Sequence, residues 1–455
     1  MIVACMLCMT VLADPPPATF VLQTEQNVWD VAVADPNQDG FGDVLALCCD
    51  ETSYPLDKSL CLFHANGAGA YGEAPAAALP LQPQTGALFL AEVDGTAPQE
   101  LVAADAGGAT VYQYREGRFE VIAEPRFVSL LPSNSKEPLF LKDAAADLDG
   151  DGIDEWLIPV ATGFAVRHAD TLLATVSCDV VSEIRRNDST YISHRLPACT
   201  LFELEGTAHK GLAFLSDEFA DFAYGDEWSK RERFRVPVNL EEKWEASAKM
   251  ADVNKNGFPD LMVTQTKGTI NLEALTHVYV AGEPFQYPEQ PTASFVSKGA
   301  VASPALLDVD GDERLDVLLV SIPFGLKNFM NFFLRGKVSV DVAVYPFNGT
   351  DFGSKPAFST TLTMDAPEGR ERVAYTMGDF NGDGRLDVAF GKEDNSMAIH
   401  TGEAARFVSA RPWVTLNLPC FGVARPYDLS GNPAQDILLF HPGGQNAKRI
   451  EVIVF

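Results

Sequence analysis

The chain has 455 residues, 46% of them apolar, with 63 Asp and Glu against 34 Lys and Arg, a formal charge of −29. A charge of that sign and size repels phosphate backbones and anionic lipid, which argues against nucleic-acid binding. The apolar run at the start, 13 residues, is too short to span a bilayer, and no other stretch suggests a membrane span.

Met1 to Ala13 is an apolar run ending Val11-Leu12-Ala13 before Asp14-Pro15-Pro16-Pro17. Small residues at that spacing fit a signal peptide cleaved after Ala13, although the basic n-region is missing. Ile2-Val3-Ala4-Cys5 also fits a lipoprotein box that would lipidate Cys5. Either route predicts a secreted, periplasmic or cell-surface protein whose single mature domain is 14–455. Of eight cysteines, Cys5 and Cys8 fall in this leader, leaving Cys48, Cys49, Cys61, Cys178, Cys199 and Cys420. Export would favour pairing Cys178 with Cys199, and Cys61 with Cys48 or Cys49; buried free thiols are the alternative.

Past the leader one unit recurs: a few apolar residues, then D-x-[DN]-x-[DN]-G-x-x-[DE], then an aliphatic run. Clear copies open at Asp35 (Asn37, Asp39, Gly40, Asp43), Asp147 (Asp149, Asp151, Gly152, Glu155) and Asp379 (Asn381, Asp383, Gly384, Asp387). Asp252 opens another with Asn254, Asn256, Gly257 and Asp260. Asp308 opens a fifth with Asp310, Asp312 and Asp316, where Glu313 replaces the glycine. Asp428 keeps Ser430, Asn432 and Asp436 without that glycine. Two eroded copies, Glu92-Val93-Asp94-Gly95-Thr96-Ala97 and Glu203-Leu204-Glu205-Gly206-Thr207-Ala208, resemble each other and fill the gaps.

The eight starts are separated by 57, 55, 56, 49, 56, 71 and 49 residues, a period that fits one four-stranded propeller blade per repeat. Each loop leads into a strand-like run such as Val44-Leu45-Ala46-Leu47 or Val317-Leu318-Leu319-Val320. A second strand then ends in an aromatic or histidine, as in Leu62-Phe63-His64 or Ile399-His400. The reading is an all-β repeat.

The loop spacing has a chemical reason. Calcium takes six to eight oxygens at about 2.3–2.6 Å. In a tight turn alternate side chains enter one concavity, so positions one, three and five supply carboxylate or amide oxygens. Position seven (Phe41, Ile153, Phe258, Arg314, Arg385) adds its backbone carbonyl, and glycine at six permits the turn. The acid at nine opens the next strand and can close the site. An EF-hand needs its acid at twelve and flanking helices, so that reading fails. Asp/Asn turns without metal are the plain alternative.

Ligand charge ranks the Asp147 loop first, Asp35 and Asp379 next, Asp308 in the middle and Asp252 below them. Asp428 is a doubtful site, and the Glu92 and Glu203 loops are expected to bind nothing. Three to five calcium ions are expected, in structural more than sensory sites.

With these loops in view, the chain resembles the FG-GAP/VCBS repeat family, whose propeller is also the integrin α-subunit head. The likeness runs from about Val31 to Phe440. It implies that each calcium loop joins the first two strands of a blade, with the loop residues above as ligands, and that blade faces bind proteins or glycans.

Eight repeats imply eight blades, with seven the alternative. The Asp428 unit lacks a last strand after Ile450-Glu451-Val452-Ile453-Val454-Phe455, and Thr19-Phe20-Val21-Leu22 can supply it and close the ring.

Other signals carry less. Gly67-Ala68-Gly69-Ala70-Tyr71-Gly72 matches G-x-G-x-x-G, but prolines follow and no helix, so it reads as an inter-strand loop. No H-E-x-x-H, Walker loop or G-x-S-x-G is present. Of seven histidines, His64 and His400 fall at matching repeat positions, which suggests packing. Asn187-Asp188-Ser189 and Asn348-Gly349-Thr350 are sequons. In the long interval, Pro323 to Gly336 places Phe329, Met330, Phe333 and Leu334 on one helical face. This would be a helix packed on its own blade or, alternatively, a docking or channel-capping element.

The function expected is recognition or scaffolding by a monomeric secreted propeller with a protein or carbohydrate partner. It is not expected to be an enzyme, and a membrane contact would come only through the lipid. A calcium-dependent polysaccharide lyase is the enzyme alternative. It needs a basic cleft, whereas Lys230-Arg231-Glu232-Arg233 and Arg185-Arg186 are only small basic clusters. A purely structural surface protein is the third reading.

Overall fold

In the computed structural model the described residues are 16–67, 69–186, 190–238, 245–268, 272–301, 304–323, 336–365, 373–393, 395–419 and 421–455. They form a ring of eight four-stranded antiparallel blades. Blade 1 runs from the axis outward as Asn27–Ala34, Asp43–Asp50, Asp57–Phe63 and Ala77–Leu81. The other second strands, in blade order, are Glu100–Asp105, Glu155–Val160, Gly211–Leu215, Asp260–Lys267, Asp316–Ile322, Asp387–Glu393 and Asp436–Phe440. Each is entered from one of the eight repeat loops. The leader, the sequon at 187–189, Cys420 and the expected helix within 324–335 lie outside the described residues. No described helix is long and apolar enough to cross a membrane.

The aliphatic runs have a direct physical cause. A second strand is covered on both faces by neighbouring blades, so it reads as continuously apolar and not as an alternation. In blade 1, Val44, Ala46 and Cys48 pack toward blade 8, with Leu438 and Phe440. Leu45 and Leu47 pack toward blade 2, with Leu88 and Leu101. The core is thus divided among the junctions between blades.

Closure follows the expected route. Ala18–Gln23 is the outermost strand of blade 8 and pairs antiparallel with Arg449–Val454, from Ala18 opposite Val454 to Gln23 opposite Arg449. Leu22, fully buried, seats with Ile450 and Val452. The ring therefore has no unpaired blade where its two ends meet.

Residues Leu139–Phe140 add a short parallel strand to the inner edge of blade 2, a feature no repeat signal announced. The Phe140 amide donates to Asp30 Oδ2 at 2.8 Å. Asp30, on the innermost strand of blade 1, also pairs with Arg425 of blade 8 at 2.6 Å. One nearly buried carboxylate so joins three inner elements. Asp30→Ala strands Arg425 without a counter-charge and is expected to cost about 2–4 kcal/mol, read by chemical denaturation; a change within error would deny Asp30 that role.

The cysteines Cys48, Cys49, Cys61, Cys178 and Cys199 are free thiols, so none of the conditional disulfides is formed. Strand alternation sets Cys49 apart from the other two on blade 1, whose thiols are neighbours but remain free. Cys48 and Cys61 share the face toward blade 8, while Cys49, opposite Lys58, points to the other face. The described residues of the G-x-G-x-x-G segment, Gly67 and Gly69 to Gly72, lie between the third and fourth strands of blade 1, an inter-strand loop as expected.

Candidate metal centres on one rim of the ring

All eight repeat loops join the first and second strands of their blades, so they share one rim. Within them the carboxylates at position one gather the turn's own amides. Asp35 accepts from Asp39 N at 3.1 Å and Gly40 N at 2.9 Å. Asp252 accepts from Asn256 and Gly257 at 3.1 and 2.7 Å, and Asp379 from Asp383 and Gly384 at 3.0 and 2.7 Å. Asp147 and Asp308 do the same with amides at positions four and six. Position five then holds the amide of position seven: Asp39 with Phe41, Asp151 with Ile153, Asn256 with Phe258, Asp312 with Arg314 and Asp383 with Arg385, all at 2.8–3.0 Å. These bonds curl side chains one, three and five around a common concavity.

The turn needs left-handed backbone twice. At position six Gly40, Gly152, Gly257 and Gly384 have φ between +81° and +88°. Glu313 takes the same conformation at +67°, so the Asp308 loop keeps its shape without glycine. Position four is left-handed too, as Gln38, Gly150, Lys255, Gly311 and Gly382, a requirement that the motif had not revealed. The Asp428 loop has Pro433 at position six, which cannot take positive φ or donate an amide, and this explains its erosion.

The residues fit a hard cation. Among the described residues no amide donates to the carbonyls of Phe41, Ile153, Phe258, Arg314 or Arg385. In the Asp308 loop, Asp310 Oδ1 is buried with no hydrogen-bond partner, at a predicted ligand position. Asp308, Asp310 and Asp316 each bring one oxygen within 4.8 Å of the others, as do Asp147, Asp149 and Asp151. An orphaned buried carboxylate oxygen is costly unless something pairs with it. The Glu92 loop, expected to hold nothing, also gathers Glu92, Asp94 and Glu100 within 4.8 Å. In the Glu203 loop position nine is Gly211, where a Cβ would meet the Phe202 ring at 2.2 Å, so no acid fits there.

Position nine has a second duty that the sequence reading missed. Asp260, fully buried, accepts Val253 N at 2.8 Å from the loop and Ala281 N at 2.7 Å from beyond the third strand. Asp316 clamps Val309 and Phe347, Asp387 clamps Phe380 and Gly402, and Asp436 clamps Leu429 and Phe455 in the same way. In blade 1 position two is Pro36, which has no N–H. There Asp43 takes Ala65 N with one oxygen, and His64 Nδ1 lies 2.7 Å from the other.

The loops are also joined to one another. Position-eight amides donate to position-two carbonyls of the preceding loop: Gly42 to Leu429, Lys210 to Leu148, Leu315 to Val253 and Leu386 to Val309, at 2.7–3.2 Å. Asp154 reaches Glu92 and Gln435 reaches Asp379, at 2.8 and 2.6 Å, and between blades 4 and 5 Glu203 N donates to Gly257 O at 2.9 Å. Among the described residues, seven of the eight junctions carry such a backbone bond. A cation that stiffens one loop therefore stiffens a belt around the rim.

Burial pushes the clamp acids up, against the pull of their amide partners: Asp260 and Glu100 to about 7, Asp316 and Asp387 to about 6. Folded values above unfolded ones mean a contribution fully present below the unfolded carboxylate range and lost as pH rises through 6–7. Metal-free protein is thus expected to melt lower at about pH 8 than at about pH 5, and calcium to raise the transition more at the higher pH. Parallel melts in chelator and in calcium check this; an equal calcium effect at both values would contradict it.

No family model matches the chain, and no curated protein matches it. Solved structures do. One is BBS1N in complex with ARL6DN, from a crystal soaked with lead: 9% identity, TM-score 0.37, covering 96% of each chain. The same complex soaked with mercury gives 9% and 0.38, over 96% of this chain and 95% of that one. The Vibrio cholerae (V. cholerae) biofilm matrix protein Bap1 gives 10% and 0.34, over 97% and 89%.

Proposed function

We propose that the chain is a calcium-stabilised recognition scaffold of the FG-GAP/VCBS kind, exported from the cell and non-catalytic, that presents its blade surfaces to a protein or carbohydrate partner as a monomer. The observation that carries the reading is the belt. Five oxygen-lined turns of one geometry, Asp35, Asp147, Asp252, Asp308 and Asp379, lie on one rim and are hydrogen-bonded loop to loop. Calcium bound there would supply positive charge where carboxylates crowd, and would hold the ring rigid while its other surfaces engage a ligand. The chain's own residues set the cage. Positions one, three and five orient oxygens, position seven offers a carbonyl, and position nine fixes the loop to its blade. Glycan and protein arrays probed with the purified chain, in calcium and in chelator, test the role. Calcium-dependent capture of a defined ligand class is expected. Release of unsaturated uronate from an acidic polysaccharide would replace this reading with the lyase one.

A further inference from the structure

We infer that blade 3 carries a metal site of a different chemistry from the other loops, in which Asp149, Glu155 and His168 take a zinc-type transition ion through mixed nitrogen and oxygen donors. The inference rests on reading the loops as metal cages. Glu155 opens the second strand of the blade and His168 ends the third, and the register that sets Trp156 opposite Arg167 puts these two side by side. His168 Nε2 lies 2.6 Å from Glu155 Oε1, while Glu155 Oε2 holds the Leu148 amide at 2.7 Å. Asp149, from loop position three, brings an oxygen within 4.8 Å of both. Glu155 is fully buried, so the carboxylate that faces the imidazole is fixed in place. Three segments of the blade thus converge one nitrogen and two carboxylates.

That donor set is not what calcium selects. Calcium coordinates oxygen, whereas imidazole with carboxylate suits zinc and its first-row neighbours. The equivalent histidines elsewhere are otherwise committed. His64 has Asp43 at 2.7 Å from one ring nitrogen and Tyr114 Oη at 2.7 Å from the other. His400 lies 2.8 Å from the Ser409 carbonyl and stacks on Phe390. Among the described residues, His168 alone of the three meets its loop acid with its second nitrogen uncommitted. Asp149 is shared with the oxygen-only triad Asp147, Asp149 and Asp151, so the loop offers two overlapping seats, one for each class of ion.

The test titrates the full chain, free of calcium, with zinc against a competing chelator dye, beside His168→Gln, and counts bound calcium separately in zinc-free protein. Glutamine keeps a polar partner for Glu155, and a melt in chelator confirms that the variant folds. One equivalent of zinc is expected, weakened by at least about tenfold in the variant, with the calcium count unchanged by the substitution. Absence of zinc binding in the parent chain, or equal zinc affinity in His168→Gln, overturns the proposal. A zinc equivalent that depends on His168, in a chain that takes up no calcium when calcium is offered alone, would uphold this site and refute the calcium reading; a full calcium count in a chain that takes up no zinc would do the reverse.

Discussion

Asp260→Ala is expected to destabilise the metal-free protein by about 3–5 kcal/mol, because two buried amides lose their acceptor at about 1–3 kcal/mol each and a small void is added. Those amides, Val253 and Ala281, belong to the loop and to the end of the third strand, so the substitution unpins one end of blade 5. The neighbouring Asp252→Ala makes the comparison informative. Asp252 holds the exposed side of the turn, and its loss should abolish ion binding in that loop while costing the metal-free chain about 1 kcal/mol or less. Denaturant titrations in chelator separate the two. Equal losses would show that position nine is merely another ligand, and the clamp would have to be abandoned.

Ring closure carries the other large effect. A chain that starts at Thr24 lacks the strand Ala18–Gln23 and leaves Arg449–Val454 as a bare edge with Ile450 and Val452 uncovered. Such an edge pairs with other chains. Light scattering is expected to find oligomers or aggregate in place of a monomer. The milder Leu22→Ala, at a fully buried site, should cost about 2–5 kcal/mol and leave the fold intact. A truncated chain that stayed monomeric with an unchanged melt would mean that blade 8 does not need this strand.

How much of this was written in the sequence depends on the range of the interaction. The period, the all-β class, eight blades and closure by the first strand were legible because each is carried by local pattern: the Asp-Gly turns, the doubly buried aliphatic runs, and a last unit one strand short. The loop-to-loop belt was not. It is made of backbone groups from repeats about a blade apart, and any residue can supply an amide. The clamp role of Asp260 and Asp387 was hidden for another reason: an acid that binds metal and an acid that binds amides leave the same letter at position nine. Its persistence as Asp436 in a loop whose position six is proline, and as Glu100 in an eroded loop, was the available clue. His168 ends a third strand as His400 does, but a histidine there reads as packing until the fold sets the loop acid beside it. The inner strand Leu139–Phe140 and its tie to Asp30 had no repeat counterpart to compare with.

The measurement that bears most directly on the account is native mass spectrometry of the purified chain in millimolar calcium, with thermal melts before and after chelation. Three to five bound calcium ions are predicted, together with a transition that drops when they are removed and returns when they are restored. A chain that flies metal-free, or melts at the same temperature with and without chelator, would contradict it.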